Sequence, residues 1–233
     1  MTFMIAIDGP AGAGKSTVAR KVAATLGLTY IDTGAMYRAL AWTALKEGCD
    51  RNDSVRLSQL AAAINIRFSP LDADLQQQVW TDSKDVTAAI RVPEVSNLTS
   101  AISVFPDVRK VIVDLQRRLG QADARGVVLE GRDIGTVVFP DAGLKIFLTA
   151  SPEERARRRM QELQTKGIAV DFAQILADQH ERDKRDSERA DSPLAAAEDA
   201  ILLNSDAMTI HEVVQSILDM AQAKKFLSES NIE

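Results

Sequence analysis

The chain is poor in cysteine, in histidine and in excess positive charge, and each shortage excludes a kind of protein. Its single cysteine, Cys49, cannot form an internal disulfide, so we expect a reducing, cytoplasmic environment. With only two histidines besides, the sequence lacks the ligands for a zinc cluster. A net charge of −5 provides no basic surface of the kind that nucleic acids need, so no nucleic-acid partner is expected.

Long hydrophobic runs are also missing. No apolar stretch approaches the roughly 20 residues that cross a membrane, and no membrane partner is expected. The apolar start at residues 3–7 is too short for a signal peptide and leads directly into Asp8-Gly9, so we predict a strand there. A length of 233 residues suffices for one large domain with insertions. The sequence does not fix the oligomeric state; a monomer is the expectation.

The strongest motif is GPAGAGKST at residues 9–17. Its spacing matches a phosphate-binding loop, in which backbone N–H groups surround a polyphosphate, the lysine reaches the β- and γ-phosphates, and the serine hydroxyl ligates Mg²⁺. An apolar run before it and a helix-forming segment after it argue against a plain glycine-rich turn. We therefore predict a nucleoside triphosphate site formed by Gly9, Pro10, Ala11, Gly12, Ala13, Gly14, Lys15, Ser16 and Thr17, with Ser16 on the metal.

Apolar runs alternate with helical patterns along most of the chain, which predicts an α/β fold with a mostly parallel sheet covered by helices. Two helix starts are clear: Ser151-Pro152-Glu153-Glu154 combines a capping box with a first-turn proline, and a second capping box lies at residues 209–212. Gly167 is predicted to end the first of these helices, and a polar, frayed tail is predicted from Lys224. The predicted strands are Met4–Asp8, Leu28–Ile31, Val127–Glu130, Leu144–Thr149 and Ala200–Leu203.

Residues 64–105 interrupt this alternation. Their polar–apolar pattern predicts a small antiparallel sheet, followed by helices that begin at Pro93 and Pro106. The second helix is predicted to end at Gly120. We interpret residues 64–119 as an inserted subdomain on the substrate side. The predicted strands cover residues 64–69, 75–81 and 86–91, with a turn at 82–84.

Two charged clusters follow predicted strands, where ligands of open α/β sheets bind. The first, IDTGAMYR at residues 31–38, places Arg38 one turn into a helix; a capped helix with a solvated arginine is its alternative. The second, EGRDIGT at residues 130–136, brings three charges to one strand end, with glycines that permit close ligand approach. A structural arginine–aspartate pair is the alternative there.

A third cluster lies on a helix that Asp171 is predicted to cap. The inward stripe of residues 172–179 continues at helical spacing into a charged face. Buried arginines need partners, and a phosphate or a sugar hydroxyl would serve. The alternative is a solvated helix held by pairs such as Glu181–Arg185 and Arg182–Asp186. The charged positions are Arg182, Arg185, Asp186 and Arg189.

A fourth cluster lies in the helix that Ser151 opens. Its arginines suggest a mobile segment that closes over triphosphate charge, and a basic solvated helix is the alternative. The residues are Arg155, Arg157, Arg158 and Arg159.

Together, IDGPAGAGKST, IDTGAMYR, EGRDIGTVVFPDA and ERDKRDSER, in this order, resemble the bacterial cytidylate kinases from Ile5 to about Ala221. The resemblance implies a nucleoside monophosphate kinase fold, with a five-stranded parallel sheet flanked by helices. It divides the chain into a core at 1–63 and 106–233, a short lid near 152–170, and a monophosphate-binding subdomain at 64–105 or 64–119. Thr33 and Glu130 stand where serine and aspartate are frequent in the family, and both keep the functional group.

The resemblance also implies residue roles. Lys15, Arg132 and Arg182 would act in catalysis, and Arg155 and Arg158 would join the phosphate-binding loop in binding ATP. Arg38 and Arg132 would hold the acceptor phosphate, Ser100, Arg109 and Asp133 would surround the cytosine, and Arg182, Asp186 and Arg189 would lie along the ribose and base. The full acceptor-side set is Asp32, Thr33, Tyr37, Arg38, Ser100, Arg109, Arg132, Asp133, Arg182, Asp186 and Arg189.

The expected reaction is phosphoryl transfer from ATP to CMP or dCMP with Mg²⁺. A monophosphate with a second pKa of about 6 is mostly dianionic near neutral pH, so its own oxygen is the nucleophile and no general base is required. That agrees with clusters that contain no histidine. Two alternatives stay open: a kinase of the same loop type for another small acceptor, such as shikimate, thymidylate or adenylate, and a non-catalytic nucleotide-binding switch. The sequence lacks the Asn-Lys-x-Asp motif of GTPase switches.

Overall fold

Five parallel strands form the centre of the structure, a computed structural model that describes residues 3–165 and 167–230, with side chains as far as residue 224. The strands are β1 (Met4–Asp8), β2 (Thr29–Asp32), β6 (Val127–Gly131), β7 (Leu144–Thr149) and β8 (Ile201–Asn204). They lie in the order β2-β6-β1-β7-β8. This arrangement confirms the predicted α/β class and all five predicted strands, each to within one residue at either end.

Helices cover both faces of this sheet. Because neighbouring residues of a strand point to opposite faces, β1 contributes to two separate cores. Ile5 and Ile7 pack under the first and last helices, whereas Ala6 packs under the second to fifth. The helices are α1 (Lys15–Leu26), α2 (Thr33–Lys46), α3 (Ser54–Ala63), α4 (Pro93–Ile102), α5 (Pro106–Gln121), α6 (Pro152–Thr165), α7 (Phe172–Glu188) and α8 (Ile210–Ser230). No helix in the described ranges combines the length and apolarity that a membrane crossing requires.

One of the two predicted capping boxes is complete. At the start of α8, the Thr209 N–H donates to Glu212 at 2.8 Å and the Glu212 N–H donates back to the Thr209 hydroxyl at 3.2 Å. At the start of α6, the Glu154 N–H donates to the Ser151 hydroxyl at 3.3 Å, but the Ser151 N–H donates to Asp206 at 2.7 Å. The box predicted at Ser151 is therefore wrong in half, because Glu154 pairs with Arg157 and Arg158 of its own helix instead.

Of three predicted helix ends, one is observed as predicted and two differ from the prediction. Gly167 takes the left-handed conformation just beyond α6, with a φ of 73°, as predicted. The tail predicted to be frayed from Lys224 instead continues as helix to Ser230, and residues 231–233 lie outside the described ranges. Gly120 does not end α5, which continues to Gln121.

The inserted segment forms the small antiparallel sheet that the sequence predicts, in the order β3-β4-β5, but its strands are shorter. The strands are β3 (Ile66–Phe68), β4 (Val79–Thr81) and β5 (Lys84–Asp85). The strand predicted at 86–91 is wrong: a 3₁₀ turn covers Ala89–Arg91, and the Ile90 N–H bonds to the Val86 carbonyl. Val86 and Ile90 are both buried, and a four-residue spacing places two side chains on one face of a strand as well as of a helical turn, so the apolar pattern did not distinguish the two.

The loop between β3 and β4 is tied to the central core. The Gln77 amide donates to the Tyr30 carbonyl at 2.9 Å and to the Ser69 carbonyl at 3.0 Å, while Arg20 of α1 donates to the Leu75 carbonyl at 3.1 Å. The buried residues of the insert belong to the same hydrophobic core as one face of the main sheet. Trp80 lies half-buried on β4. The division of the chain into core, insert and lid stays a prediction.

Gly120 allows α5 to pack closely against Phe139, in the segment that follows β6. A Cβ atom at this position would lie 2.7 Å from Cζ of Phe139, which is 3% exposed. Gly120→Ala should therefore lower the free energy of unfolding by about 1–2 kcal/mol, although alanine ordinarily stabilises a helix interior by about 0.5–1 kcal/mol. Urea unfolding measures this change. Adding Phe139→Leu should recover part of the loss; a stabilised single variant would contradict the packing argument.

Candidate active site

The phosphate-binding loop follows β1 directly and leads into α1, as predicted. Gly9 has a φ of 146°, and a Cβ there would lie 1.9 Å from the Leu148 carbonyl oxygen of the neighbouring strand. Only glycine allows β1 to turn this closely past β7. Gly14, at a φ of 90°, is the residue before α1, and the Lys15 ammonium turns back to donate to the Pro10 carbonyl at 2.7 Å. The loop thus encloses its own lysine.

Lys15, which is buried, is the centre of a group of cations that also contains the half-buried Arg132 and Arg182. Its pKa is lowered to about 7, mainly by burial and also by the charges of Arg132 and Arg182, while the charges of Glu130 and Asp8 oppose this shift. Because repulsion between like charges falls with distance, the guanidinium groups that follow β6 and lie on α7 act on the ammonium from nearby. The structure therefore brings together the three residues predicted to be catalytic.

Two of the predicted phosphate-binding arginines are held by carboxylates. Arg38 donates to Asp32 at 2.7 Å, and Asp32 also accepts the Ala35 N–H at 2.8 Å, so it caps α2. Arg132, at the end of β6, donates to Asp186 of α7 at 3.0 Å. The Arg182–Asp186 pair that a solvated helix would contain is thus replaced by a contact between α7 and the central sheet. The acidic partners orient both guanidinium groups at the carboxyl edge.

Arg182 is the exception among these arginines. It is half-buried, and among the described residues it has no hydrogen bond or ion pair. Its pKa is lowered to about 10, mainly by burial and also by the charge of Arg132, while Asp186 opposes this shift. Partial desolvation of a guanidinium without a partner is costly, and a bound anion would offset that cost.

The charged face of α7 differs from the prediction at two positions. Arg185 is exposed, and its Nε lies 3.8 Å from Glu181, which is the solvated pair that we considered as an alternative. Asp183 lies inward instead and binds Arg155 of α6 at 2.6 Å. The helix ends at Glu188, so Arg189 lies on extended backbone beyond it. The helical spacing could have predicted the inward position of Asp183, because this residue lies four positions after the buried Gln179 and therefore on the same face of α7.

The predicted base-binding residues converge around Asp133. Its carboxylate pairs with Arg109, which is 2% exposed, and lies 4.0 Å from Arg189. Arg109 also lies 3.3 Å from Asp191 and 5.9 Å from the centre of the Tyr37 ring. Ser100 is half-buried on α4 and, among the described residues, has no side-chain hydrogen bond to this group. The group around Asp133 is therefore assembled from four separate segments of the chain, which contain Tyr37, Arg109, Asp133 and residues 189–191.

The two predicted lid arginines make fixed contacts in this structure. Arg155 is 3% exposed and donates to the Ala11 carbonyl of the phosphate-binding loop at 3.0 Å as well as to Asp183. Arg158 donates to the Ser205 carbonyl at 2.8 Å. Arg157 and Arg159 are exposed and pair with glutamates of their own helix, as in the solvated alternative. Helix α6 is thus anchored at its first turn, and its role as a lid and the contact of Arg155 and Arg158 with ATP stay predictions.

Glu130 and Tyr30 form a buried polar pair beside the phosphate-binding loop. The Tyr30 hydroxyl donates to Glu130 at 2.5 Å, and the Thr33 hydroxyl donates to the Glu130 carbonyl at 2.6 Å. Burial raises the pKa of Glu130, as does the charge of Asp32, while Lys15 and hydrogen bonds from Ser16 and Tyr30 lower it. Sequence reasoning did not assign Glu130 or Tyr30 a site role. Of the remaining loop residues, Gly12 lies beside Arg155, Ala13 is buried and Thr17 is half-buried.

A parallel sheet, a phosphate-binding loop and a crevice of arginines define a kinase of the phosphate-binding-loop class. The sequence profile described as Cytidylate kinase matches residues 5–223. A cytidylate kinase of Solibacter usitatus is 52% identical over 223 residues, which cover 95% of this chain and 93% of that protein. The chain belongs to the cytidylate kinase family.

One further relative and one solved structure extend the comparison. A bifunctional pantoate ligase/cytidylate kinase of Synechococcus elongatus is 51% identical over 218 residues, which cover 92% of this chain but 41% of that protein. A solved structure of an uncharacterized protein from Eubacterium ventriosum has a TM-score of 0.52 at 13% identity, over 96% of this chain and 99% of that chain. The last likeness concerns the fold alone.

Arg182 and Arg185 lie on the same helix and form a matched pair of test positions. Arg182→Ala should lower kcat/KM for the monophosphate by at least about tenfold and change KM for ATP little, because it removes an unpaired cation from the acceptor side. Arg185→Ala should leave the kinetics unchanged and alter stability by only a few tenths of a kcal/mol. Steady-state kinetics with each substrate varied would measure these effects. Values of kcat/KM that equal the wild-type value in both variants would favour the solvated-helix interpretation.

The pKa of Lys15 predicts a proton linkage. With a pKa of about 7, most of its ammonium is deprotonated at pH 8 in the free protein, and a bound triphosphate would raise the pKa toward its ordinary range. ATP binding should therefore take up nearly one proton at pH 8 and only about 0.1 at pH 6. Calorimetry in buffers of different ionisation enthalpy measures the uptake. Lys15→Met should abolish it, and an uptake independent of pH would refute the assignment.

Proposed function

We propose that the protein transfers the γ-phosphoryl group of ATP to CMP and dCMP, giving the diphosphates. The observation that carries this proposal is the unpaired Arg182 beside Lys15 and Arg132. These cations, of which Lys15 is buried and the two arginines are half-buried, would lie on the donor side and the acceptor side of one site, and negative charge between them would offset their repulsion. A triphosphate in the loop and a monophosphate opposite it would supply that charge.

The proposed reaction depends on positioning and charge rather than on a base. The phosphate-binding loop and Lys15 would hold the β- and γ-phosphates of the donor, and Arg38 and Arg132 would hold the acceptor phosphate. Arg182, between the two, would stabilise the phosphoryl group during an in-line transfer. The dianionic acceptor supplies its own nucleophilic oxygen. No described titratable group needs to remove a proton in this scheme.

The residues at the head of α1 fit a Mg²⁺ ion that is brought by ATP. The exposed Ser16 hydroxyl lies against Glu130, and Asp32 faces Glu130 across the β2–β6 pair. Oxygen ligands of this kind, together with substrate phosphates, are what Mg²⁺ prefers. The described residues contain no group of three metal-binding side chains that would form a separate cage. When bound, Mg²⁺ neutralises charge on the β- and γ-phosphates.

Base selection would depend on Asp133. A carboxylate accepts a hydrogen bond from the exocyclic amine of cytosine, and uracil presents a carbonyl at the same position. In the free protein this carboxylate is turned toward Arg109 and Arg189, and Arg109 lies over the Tyr37 ring. The arginines would hold the carboxylate in place, and Ser100 from α4 would close on the other edge of the base.

We also propose a cytoplasmic location and a monomeric state. The lone Cys49, half-buried and unable to form an internal disulfide, supports a reducing compartment.

Selectivity between CMP and UMP tests the proposed base reader. An unpaired polar contact in a desolvated pocket costs about 1–3 kcal/mol, so kcat/KM should favour CMP by roughly tenfold to a hundredfold or more. Asp133→Asn keeps the shape but presents a donor, and should narrow this ratio. Asp191→Asn is the control, because Asp191 also faces Arg109 but is more exposed. Wild-type enzyme that uses both equally, or an unchanged ratio in Asp133→Asn, would exclude Asp133 as the reader.

A further inference from the structure

The turn that carries the acceptor-binding residues is held by the end of β1. After Arg132 and Asp133, the chain forms a π-helix at Ile134–Val138, whose first N–H groups have no partner within the turn. Both are bound by one side chain from elsewhere. The Ile134 N–H donates to Oδ1 of Asp8 at 2.9 Å, and the Gly135 N–H donates to Oδ2 at 2.7 Å.

This cap comes from an unusual place. Asp133 occupies the N-cap position of the turn, and aspartate is among the residues that most often cap their own helix. Here its side chain makes no capping hydrogen bond, because its carboxylate is turned toward Arg109 and Arg189. Asp8, on the strand that leads into the phosphate-binding loop, occupies both N–H groups instead.

We propose that Asp8 is a positioning residue that caps this turn in place of Asp133 and so leaves the Asp133 carboxylate beside Arg109 and Arg189, from where it would face the acceptor base. The proposal rests on the base-reading role proposed above for Asp133. It gives Asp8 a part in substrate selection without contact with the substrate. It also joins the two sides of the crevice, because the residue that fixes the acceptor turn directly precedes Gly9 of the phosphate-binding loop.

A second strand also contacts the turn. The stem of Lys145, on β7, lies 3.1 Å from the position that a Cβ on Gly135 would take, and Oδ2 of Asp8 lies 3.5 Å from the same position. The Lys145 ammonium donates to the Pro140 carbonyl and, at 2.8 Å, to Asp199. The turn therefore packs against side chains of two neighbouring strands, β1 and β7. Of these two contacts, only that from Asp8 is made to the backbone groups next to Asp133.

The carboxylate of Asp8 is retained at a cost to stability. The Asp8 side chain is almost fully buried, with the residue 5% exposed. Its pKa is raised to about 6, mainly by burial and also by the charge of Asp133. The N–H groups of Gly135 and Ile134 and the charge of Lys15 oppose this rise in pKa. Because this pKa lies above the ordinary 3.8, ionisation of Asp8 destabilises the folded chain as the pH rises from about 4 to about 6. A neutral residue would avoid that cost, so a second acceptor oxygen serves another purpose.

Asp8→Asn is the direct test. Asparagine has one acceptor oxygen, so one of the two N–H groups loses its partner and competes for the Asp133 carboxylate. We expect kcat/KM for CMP to fall by about tenfold or more, the preference for CMP over UMP to narrow by about fivefold or more, and KM for ATP to stay within about threefold. Hydrogen exchange over residues 133–138 should become faster. A folded variant with an unchanged CMP/UMP ratio would overturn the proposal.

Asp123→Asn is a matched control at the opposite edge of the sheet. Asp123 also caps a turn, accepting the Arg125 N–H at 3.0 Å and the Thr29 hydroxyl at 2.5 Å. This variant should lose stability and keep the CMP/UMP ratio. A ratio that narrows equally in both variants would show a general effect of destabilisation and would refute a specific role for Asp8.

The wild-type chain provides a measurement that does not depend on the variant folding or on activity. In the substrate-free protein, the amide proton of Gly135 should shift with a midpoint near pH 6 as Asp8 titrates, with Asp133 and Lys15 as the charged groups that face it. A chemical shift of the Gly135 amide proton that stays constant from pH 5 to 7.5 would contradict its hydrogen bond to Asp8. If the wild type does not prefer CMP, the proposed base selection fails, while a Gly135 titration would still support the cap.

Discussion

Lys15 lies at the start of α1 with its ammonium turned into the phosphate-binding loop, and two guanidinium groups approach it from β6 and α7. The repulsion among these three cations is the constraint on which the site depends. Lys15 is buried and the two guanidinium groups are half-buried, so water screens the repulsion only in part and negative charge is needed to compensate the rest. Part of that charge comes from Asp186 and Glu130. The remainder must come from what binds.

The parallel sheet makes this arrangement possible. Because its strands all end at one edge, side chains from residues 8, 32 and 132 meet there although more than a hundred residues separate the first from the last in sequence. The carboxylates beside Arg38 and Arg132 keep the guanidinium groups oriented in the absence of substrate. An incoming phosphate then meets donors that are already in place, and the entropy of ordering long side chains has been lost during folding.

Local sequence patterns predicted the helices and strands of this fold. They could not predict the parts of the site that depend on contacts between residues far apart in sequence. The phosphate-binding loop, the five strands and the Asp171 cap all depend on neighbours within a few residues. The inward position of Asp183 depends on Arg155, the cap at Gly135 depends on Asp8, and Gly120 depends on Phe139. Each of these partners is chosen by tertiary packing. Periodicity indicates which face of a helix is buried, but it does not identify the residue opposite.

The two tryptophans of this chain occupy one side of the molecule. Trp42 lies on α2 in the core shared with the insert, and Trp80 lies on β4 of the insert itself. The opposite face, under α1 and α8, has neither. Intrinsic tryptophan emission of the unmodified chain is therefore a selective optical probe of the half that contains α2 and the insert. Motions of α6 and α7 would need an introduced fluorophore, and Arg159, exposed on α6, offers a position for one.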